Sequence, residues 1–162
     1  MAARSNAPID PARELTITRV FEAPRQLVFK AWTDPRHLAD WWGPEGYTLP
    51  VCEMDFRPGG AYRFCMRSPE GRDSWVQGVY REIVEPERLM MSGGWIDANG
   101  KPVQQLHGEL FQTVTTVTFE EHDGKTRLTL HNGVFESVAS RDSHRSGWSS
   151  SLDRLAEYVA TA

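Results

Sequence analysis

Apolar and polar positions divide the chain into an early strand, a short helical stretch, a run of strands and one terminal helix. Between Glu14 and Glu22, Leu15, Ile17 and Phe21 share one parity while Thr16, Thr18 and Val20 share the other, the period-two signature of a strand. Pro24 then suits the first position of a helix, where its missing N–H costs nothing, and Leu27, Val28, Ala31 and Trp32 supply the apolar stripe. Asp34-Pro35 repeats the start signal, an oxygen acceptor followed by proline, for a second short helix carrying Leu38, Trp41 and Trp42. Gly43-Pro44 ends it.

A hairpin follows in which Cys52, Met54 and Phe56 share one parity and Tyr62, Phe64 and Met66 share another. Bringing both sets onto one face predicts Phe56 opposite Tyr62 and Met54 opposite Phe64, closed by a three-residue loop of Pro58, Gly59 and Gly60. Asp55 then opposes Arg63 on the outer face, and Cys52 and Cys65 lie on opposite faces, which argues against a disulfide between them. Asp73 to Val84 predicts a long strand, yet Trp75, Val79 and Ile83 alternate with Val76, Tyr80 and Val84, so its facing stays open. Leu89 to Ile96 forms the next strand after the Glu85-Pro86-Glu87 turn, and Ser92-Gly93-Gly94 reads as a bulge or bend. For Lys101 to Phe111 a lid and an irregular strand both remain open. Gln112 to Glu121 and Lys125 to Val134 form a hairpin around His122-Asp123-Gly124, with Val117, Phe119, Leu128 and Leu130 as the buried set. From Arg141 to Thr161, Trp148, Leu152, Leu155 and Val159 trace one face of a helix.

Composition narrows the role. A chain of 162 residues fits a single domain, here 13–162, behind a flexible N-terminal tail at 1–12. With 22 acidic against 18 basic residues it lacks the basic excess of a nucleic-acid binder. No apolar run approaches the ~20 residues of a membrane span. Two cysteines without a secretory signal point to a reducing, cytoplasmic setting. The histidines at 37, 107, 122, 131 and 144 show no metal-ligand spacing, so no metal or cofactor is expected. Ser149-Ser150-Ser151 lacks a nucleophile elbow, and the glycine-rich words lack phosphate-loop spacing.

Several longer words carry a resemblance: Arg19-Val20-Phe21-Glu22-Ala23-Pro24, Trp32-Thr33-Asp34-Pro35, Trp41-Trp42-Gly43-Pro44, Asp55-Phe56-Arg57-Pro58-Gly59-Gly60 and Gly78-Val79-Tyr80-Arg81-Glu82-Ile83. Pro86-Glu87-Arg88-Leu89 and Leu152-Asp153-Arg154-Leu155 extend it. From about Glu14 to Tyr158 the chain resembles the family named for the C-terminal domain of the activator of the heat-shock protein 90 ATPase, within the START/SRPBCC, Bet v 1-like superfamily. The resemblance implies an α+β helix-grip fold: a curved antiparallel β-sheet wrapped around a long C-terminal α-helix, with two short helices after the first strand and a cavity between sheet and helix.

Aromatic and apolar linings are what small-molecule sites usually have. The candidate pocket comprises Trp32, Trp41, Trp42, Met54, Phe56, Tyr62, Phe64, Met66, Trp75, Tyr80, Trp95, Phe119, Leu130, Trp148 and Leu152. Gln77, Tyr80, Glu82, His107, His131 and His144 are candidates for orienting a ligand. The first expectation is therefore a binder of a small apolar or aromatic molecule, as monomer or homodimer. The resemblance implies an alternative, a protein-interaction module acting on a chaperone ATPase or in a stress response. A cyclase- or dehydratase-type enzyme comes third and would need Glu82, His107 or His131 as its acid or base.

Overall fold

A computed structural model of the protein describes residues 13–97, 99–101, 103, 105–106, 109–110, 113–135 and 137–161. The expected tail at 1–12 and His107 lie outside these residues. Along the chain come β1 (Leu15–Phe21), α1 (Arg25–Thr33), α2 (Pro35–Leu38), β2 (Thr48–Met54), β3 (Ala61–Arg67), β4 (Asp73–Val84) and β5 (Arg88–Ile96). The short strands β6 (Gln105–Leu106) and β7 (Glu109–Leu110) pair with each other, followed by β8 (Thr113–His122), β9 (Lys125–Gly133) and α3 (Val138–Ala160). Seven strands form one antiparallel sheet in the order β1-β9-β8-β5-β4-β3-β2. Its curve holds α3 against the inner face, which is the helix-grip fold.

Local chemistry accounts for most boundaries. Asp34 caps α2 as expected, its carboxylate accepting from Arg36 N at 2.9 Å. That helix is only one turn long, however, and Trp41 and Trp42 sit in the turn after it. Pro24 is the N-cap of α1 rather than its first helical residue. The β8–β9 hairpin turns on Asp123 (φ 52°) and Gly124 (φ 78°), the left-handed pair that a two-residue hairpin loop requires. Helix α3 starts at Val138, three residues before the expected Arg141, because the Ser137 hydroxyl caps it by accepting from Ser140 N at 3.0 Å.

Two strands depart from the expected pattern. In the β2–β3 hairpin, Met54 opposes Tyr62 and Cys52 opposes Phe64, a slip of two residues from the anticipated register. The loop is wider than three residues: Asp55 N donates to Ala61 O at 2.9 Å and Gly60 N to Arg57 O at 2.8 Å. Gly59 N and Gly60 O meanwhile continue the ladder onto Tyr80 of β4, at 2.7 and 2.9 Å. Asp55 consequently pairs with Arg57 at 2.9 Å, and Glu53 takes the place opposite Arg63. Parity survives the slip, so Cys52 and Cys65 do face opposite ways, and both are free thiols. In β4 a bulge between Tyr80 and Glu82 reverses the facing partway along, which is why neither side reads as polar. Val76 and Tyr80 point inward before it and Ile83 after it. Gly93 and Gly94 are in regular register with Gly78 and Gln77, so Ser92-Gly93-Gly94 is neither bulge nor bend.

One cation ties α3 to the turn that carries Trp42. Arg154 Nη1 donates to the carbonyls of Trp42, Gly43 and Pro44 at 3.2, 3.0 and 3.1 Å, while Nη2 reaches Asp40 O at 3.3 Å. Hydrogen bonds from a charged donor contribute about 1.5–3 kcal/mol. Arg154→Ala is expected to lower unfolding free energy by about 2 kcal/mol in urea denaturation and to red-shift tryptophan emission as the turn loosens. A second expectation concerns Gly60, where an added Cβ would lie 1.9 Å from Asp55 O. Gly60→Ala forces the backbone to move and should destabilise by at least about 2 kcal/mol, whereas Gly59→Ala, with nothing within 4 Å but φ at +83°, should cost about 1 kcal/mol in the same assay.

Candidate functional site

The residues along α3 change role partway down the helix. Leu152, Leu155 and Val159 are buried in the core. Ser143, His144, Gly147, Trp148 and Ser151 border a partly open cavity of about 390 Å³ instead. Facing them across it are Tyr62 and Met66 of β3, Ser74 and Val76 of β4, Met91, Gly93, Gly94 and Trp95 of β5, and Thr113 and Thr115 of β8. Trp42, Gly43, Pro44 and Tyr47 complete the wall from the Arg154-held turn, and Asn132 joins from β9.

Aromatic contacts set the shape of this wall. Trp148 stacks on Trp32 with centroids 5.9 Å apart and meets Trp42 edge-on at 5.3 Å. Trp42 in turn packs edge-on against Phe64 at 5.2 Å. Behind them Trp41 lies 4.8 Å from Trp32 and donates its indole N–H to Ala31 O at 2.9 Å. Such offset and edge-to-face pairs contribute about 0.5–1.5 kcal/mol beyond the area they bury.

Part of the polar lining is engaged with neighbouring protein groups. Asn132, 2% exposed, donates to Thr115 Oγ1 at 2.8 Å and accepts from Trp148 Nε1 at 3.3 Å. Trp95 Nε1 donates to His144 Nε2 at 3.3 Å, and because an indole can only donate, His144 carries its proton on Nδ1, which meets Ser140 O at 2.8 Å. Ser151 Oγ donates to Gly147 O at 2.9 Å. No Asp, Glu, Lys or Arg lies among the described lining residues. Burial pushes the Tyr62 phenol well above its ordinary pKa. Outside the cavity, burial and then the Asp34 charge push the half-buried Cys52 thiol up to about 11, leaving it protonated near neutral pH.

Of the residues anticipated for a pocket, Trp42, Tyr62, Met66, Trp95 and Trp148 come together around this cavity. Trp32, Trp41, Phe64, Tyr80, Phe119, Leu130 and Leu152 fill the solid core, with Met54 and Phe56 packed against it. Trp75 faces outward, since it precedes the bulge on the odd parity of β4, and the Arg63 guanidinium covers its ring at 4.5 Å. Gln77 shares that outward parity and is exposed. Glu82 is the outer partner of Arg88 at 2.7 Å, and His131, on the outward parity of β9, lies 3.1 Å from Glu14. Asn132, Thr113 and Thr115 were not anticipated. The signal was present: each continues the inward parity of Leu128 and Leu130, or of Val117 and Phe119, with a polar side chain.

Among the described residues no group of three or more His, Cys, Asp or Glu is placed to hold a metal ion, and no helix is long and apolar enough to cross a membrane. Among solved structures, a protein of Chromobacterium violaceum is 28% identical, with a TM-score of 0.78 over 91% of this chain and 96% of that one. A protein of Mycobacterium smegmatis is 27% identical, with a TM-score of 0.76 over 94% and 91% of the two chains. The AHSA1 protein of Silicibacter pomeroyi is 25% identical, with a TM-score of 0.78 over 91% and 98%. None of the curated proteins matches the chain. The profile described as Activator of Hsp90 ATPase homolog 1-like protein matches residues 22–160, nearly the whole of the sequence, and the protein belongs to that family.

Proposed function

We propose that the protein binds a small, mainly apolar molecule in the cavity between the sheet and the first half of α3. The observation that carries this reading is the cavity itself, about 390 Å³ walled by Trp42, Trp95, Trp148, Tyr62, Met66 and Met91. The cavity opens partly to solvent, and its walls are mainly apolar and aromatic, the lining that small-molecule sites usually have. It falls within the range of roughly 300–1,000 Å³ typical of ligand pockets. A ligand that buries about 200 Å² of apolar surface there would gain about 5 kcal/mol at ~25 cal/mol per Å². The cyclase-type reading loses support, because Glu82 and His131 turn away from the cavity.

Two measurements test the proposal. A library of small aromatic and alicyclic compounds, followed by tryptophan fluorescence and thermal shift, should yield binders; one present at 100 times its Kd stabilises by about 2.7 kcal/mol. A library without a single responder would overturn the reading. Gly147 supplies the structural control, since a Cβ there meets only Pro44 Cγ at 4.0 Å, at the cavity wall. Gly147→Ala should stabilise α3 by about 0.5–1 kcal/mol and leave binding intact, while Gly147→Phe should fill the hollow and abolish the response.

A further inference from the structure

The cavity's polar groups also indicate what kind of molecule it accepts. Asn132, His144 and Ser151 are engaged with neighbouring protein groups, whereas the hydroxyls of Tyr47, Tyr62, Ser74, Thr113 and Ser143 make no hydrogen bond to any described residue, and among these five residues Tyr62 is the buried one at 6% exposure. Its ring lies across the paired residues Gly78 and Gly93: a Cβ added at either would come within 2.5 or 2.3 Å of the Tyr62 oxygen. The backbone crowds the same two positions, a Cβ at Gly78 lying 2.0 Å from Ser92 O and one at Gly93 2.5 Å from Gln77 O, and the bare surface they leave is where the Tyr62 oxygen rests at the cavity wall. Two side-chain-free positions thus accommodate a hydroxyl that has no partner among the described residues.

Resting on the cavity reading above, we propose that the site takes an uncharged, flat apolar molecule bearing one hydrogen-bond acceptor, and that the Tyr62 hydroxyl donates to that acceptor. Donation is the natural direction, because the phenol oxygen's lone pair is drawn into the ring. Burial keeps the phenol protonated, so the donor persists across the physiological range. An anion is disfavoured because no described lining residue carries a cation to offset its desolvation.

Three probes of nearly equal shape separate the claims: 2-acetylnaphthalene, its carbonyl-free analogue 2-isopropenylnaphthalene, and the anion 2-naphthoate. Each is titrated by calorimetry into the wild type and into Tyr62→Phe, which retains the ring. The ketone is expected to bind the wild type at least tenfold more tightly than the carboxylate. Tyr62→Phe should weaken the ketone about three- to tenfold and leave the alkene unchanged. Equal losses for ketone and alkene would reduce Tyr62 to a shape-filling residue, and a carboxylate matching the ketone would remove the selection for a neutral ligand. Either result overturns this inference while the cavity reading stands. Failure of all three probes to bind the wild type would overturn both.

Discussion

Helix α3 is anchored at one end and held off at the other, and the arrangement of the site follows from that division. Leu152, Leu155 and Val159 are buried to within 3% of full enclosure, so the C-terminal half of the helix is part of the core. The first half presents Ser143, Gly147 and Ser151 to the sheet, residues too small to reach it. Collapse of the gap is opposed by Trp148, which is stacked on Trp32 and hydrogen-bonded to Asn132, and by the Trp95–His144 contact that spans sheet to helix. To close the hollow, these pairs would have to break and the buried Asn132 oxygen would lose its Trp148 donor, at a cost of about 1–3 kcal/mol for each group left unsatisfied.

The sheet contributes the complementary surface by similar means. Gly78 and Gly93 remove two side chains from its inner face and let Tyr62 lie flat, which deepens the space available above β4 and β5. The bulge after Tyr80 turns Ile83 inward beyond the cavity, so the same strand closes the core at one end and leaves it open at the other. Arg154 completes the wall by holding the Trp42 turn through backbone carbonyls alone, independently of which side chains that turn displays. Each device acts through backbone or small residues. Aromatic side chains then supply the surface that a ligand would touch.

Periodicity made the elements legible, and it failed where two answers share a parity. The spacing of Trp148, Leu152, Leu155 and Val159 identified α3 correctly, as the alternation of Val117, Phe119, Leu128 and Leu130 identified the β8–β9 hairpin. The β2–β3 register was misread because a slip of two residues keeps every side chain on its face. What selected the real register is the close approach of Gly60 to Asp55 O and the ladder to Tyr80, both tertiary facts. Large rings also gave no means of telling wall from core. Trp32 and Trp42 are adjacent in space at 5.8 Å, yet only Trp42 reaches the cavity. Polar residues at inward parity, Asn132 and Thr115, were the better indicators, since a polar group in a core position needs a reason.

Separation of anchoring from recognition bears on how one scaffold can serve different ligands. The relatives at 25–28% identity superpose over nine-tenths of their length, so the sheet and helix tolerate wide replacement of side chains. Fold likeness by itself does not carry a ligand from one such protein to another. In this chain Leu152, Leu155 and Val159 anchor one end of α3 in the core, while Trp148, Asn132, Trp95 and His144 both line the cavity and hold the other end off the sheet. Met66 and Met91, flexible and polarizable, are placed where a wall can adapt in shape, whereas Leu152 and Leu155 lie where it cannot. Substitution of Tyr62 would therefore reshape the cavity wall without touching the contacts that hold it open, whereas Asn132 and His144 are themselves part of those contacts.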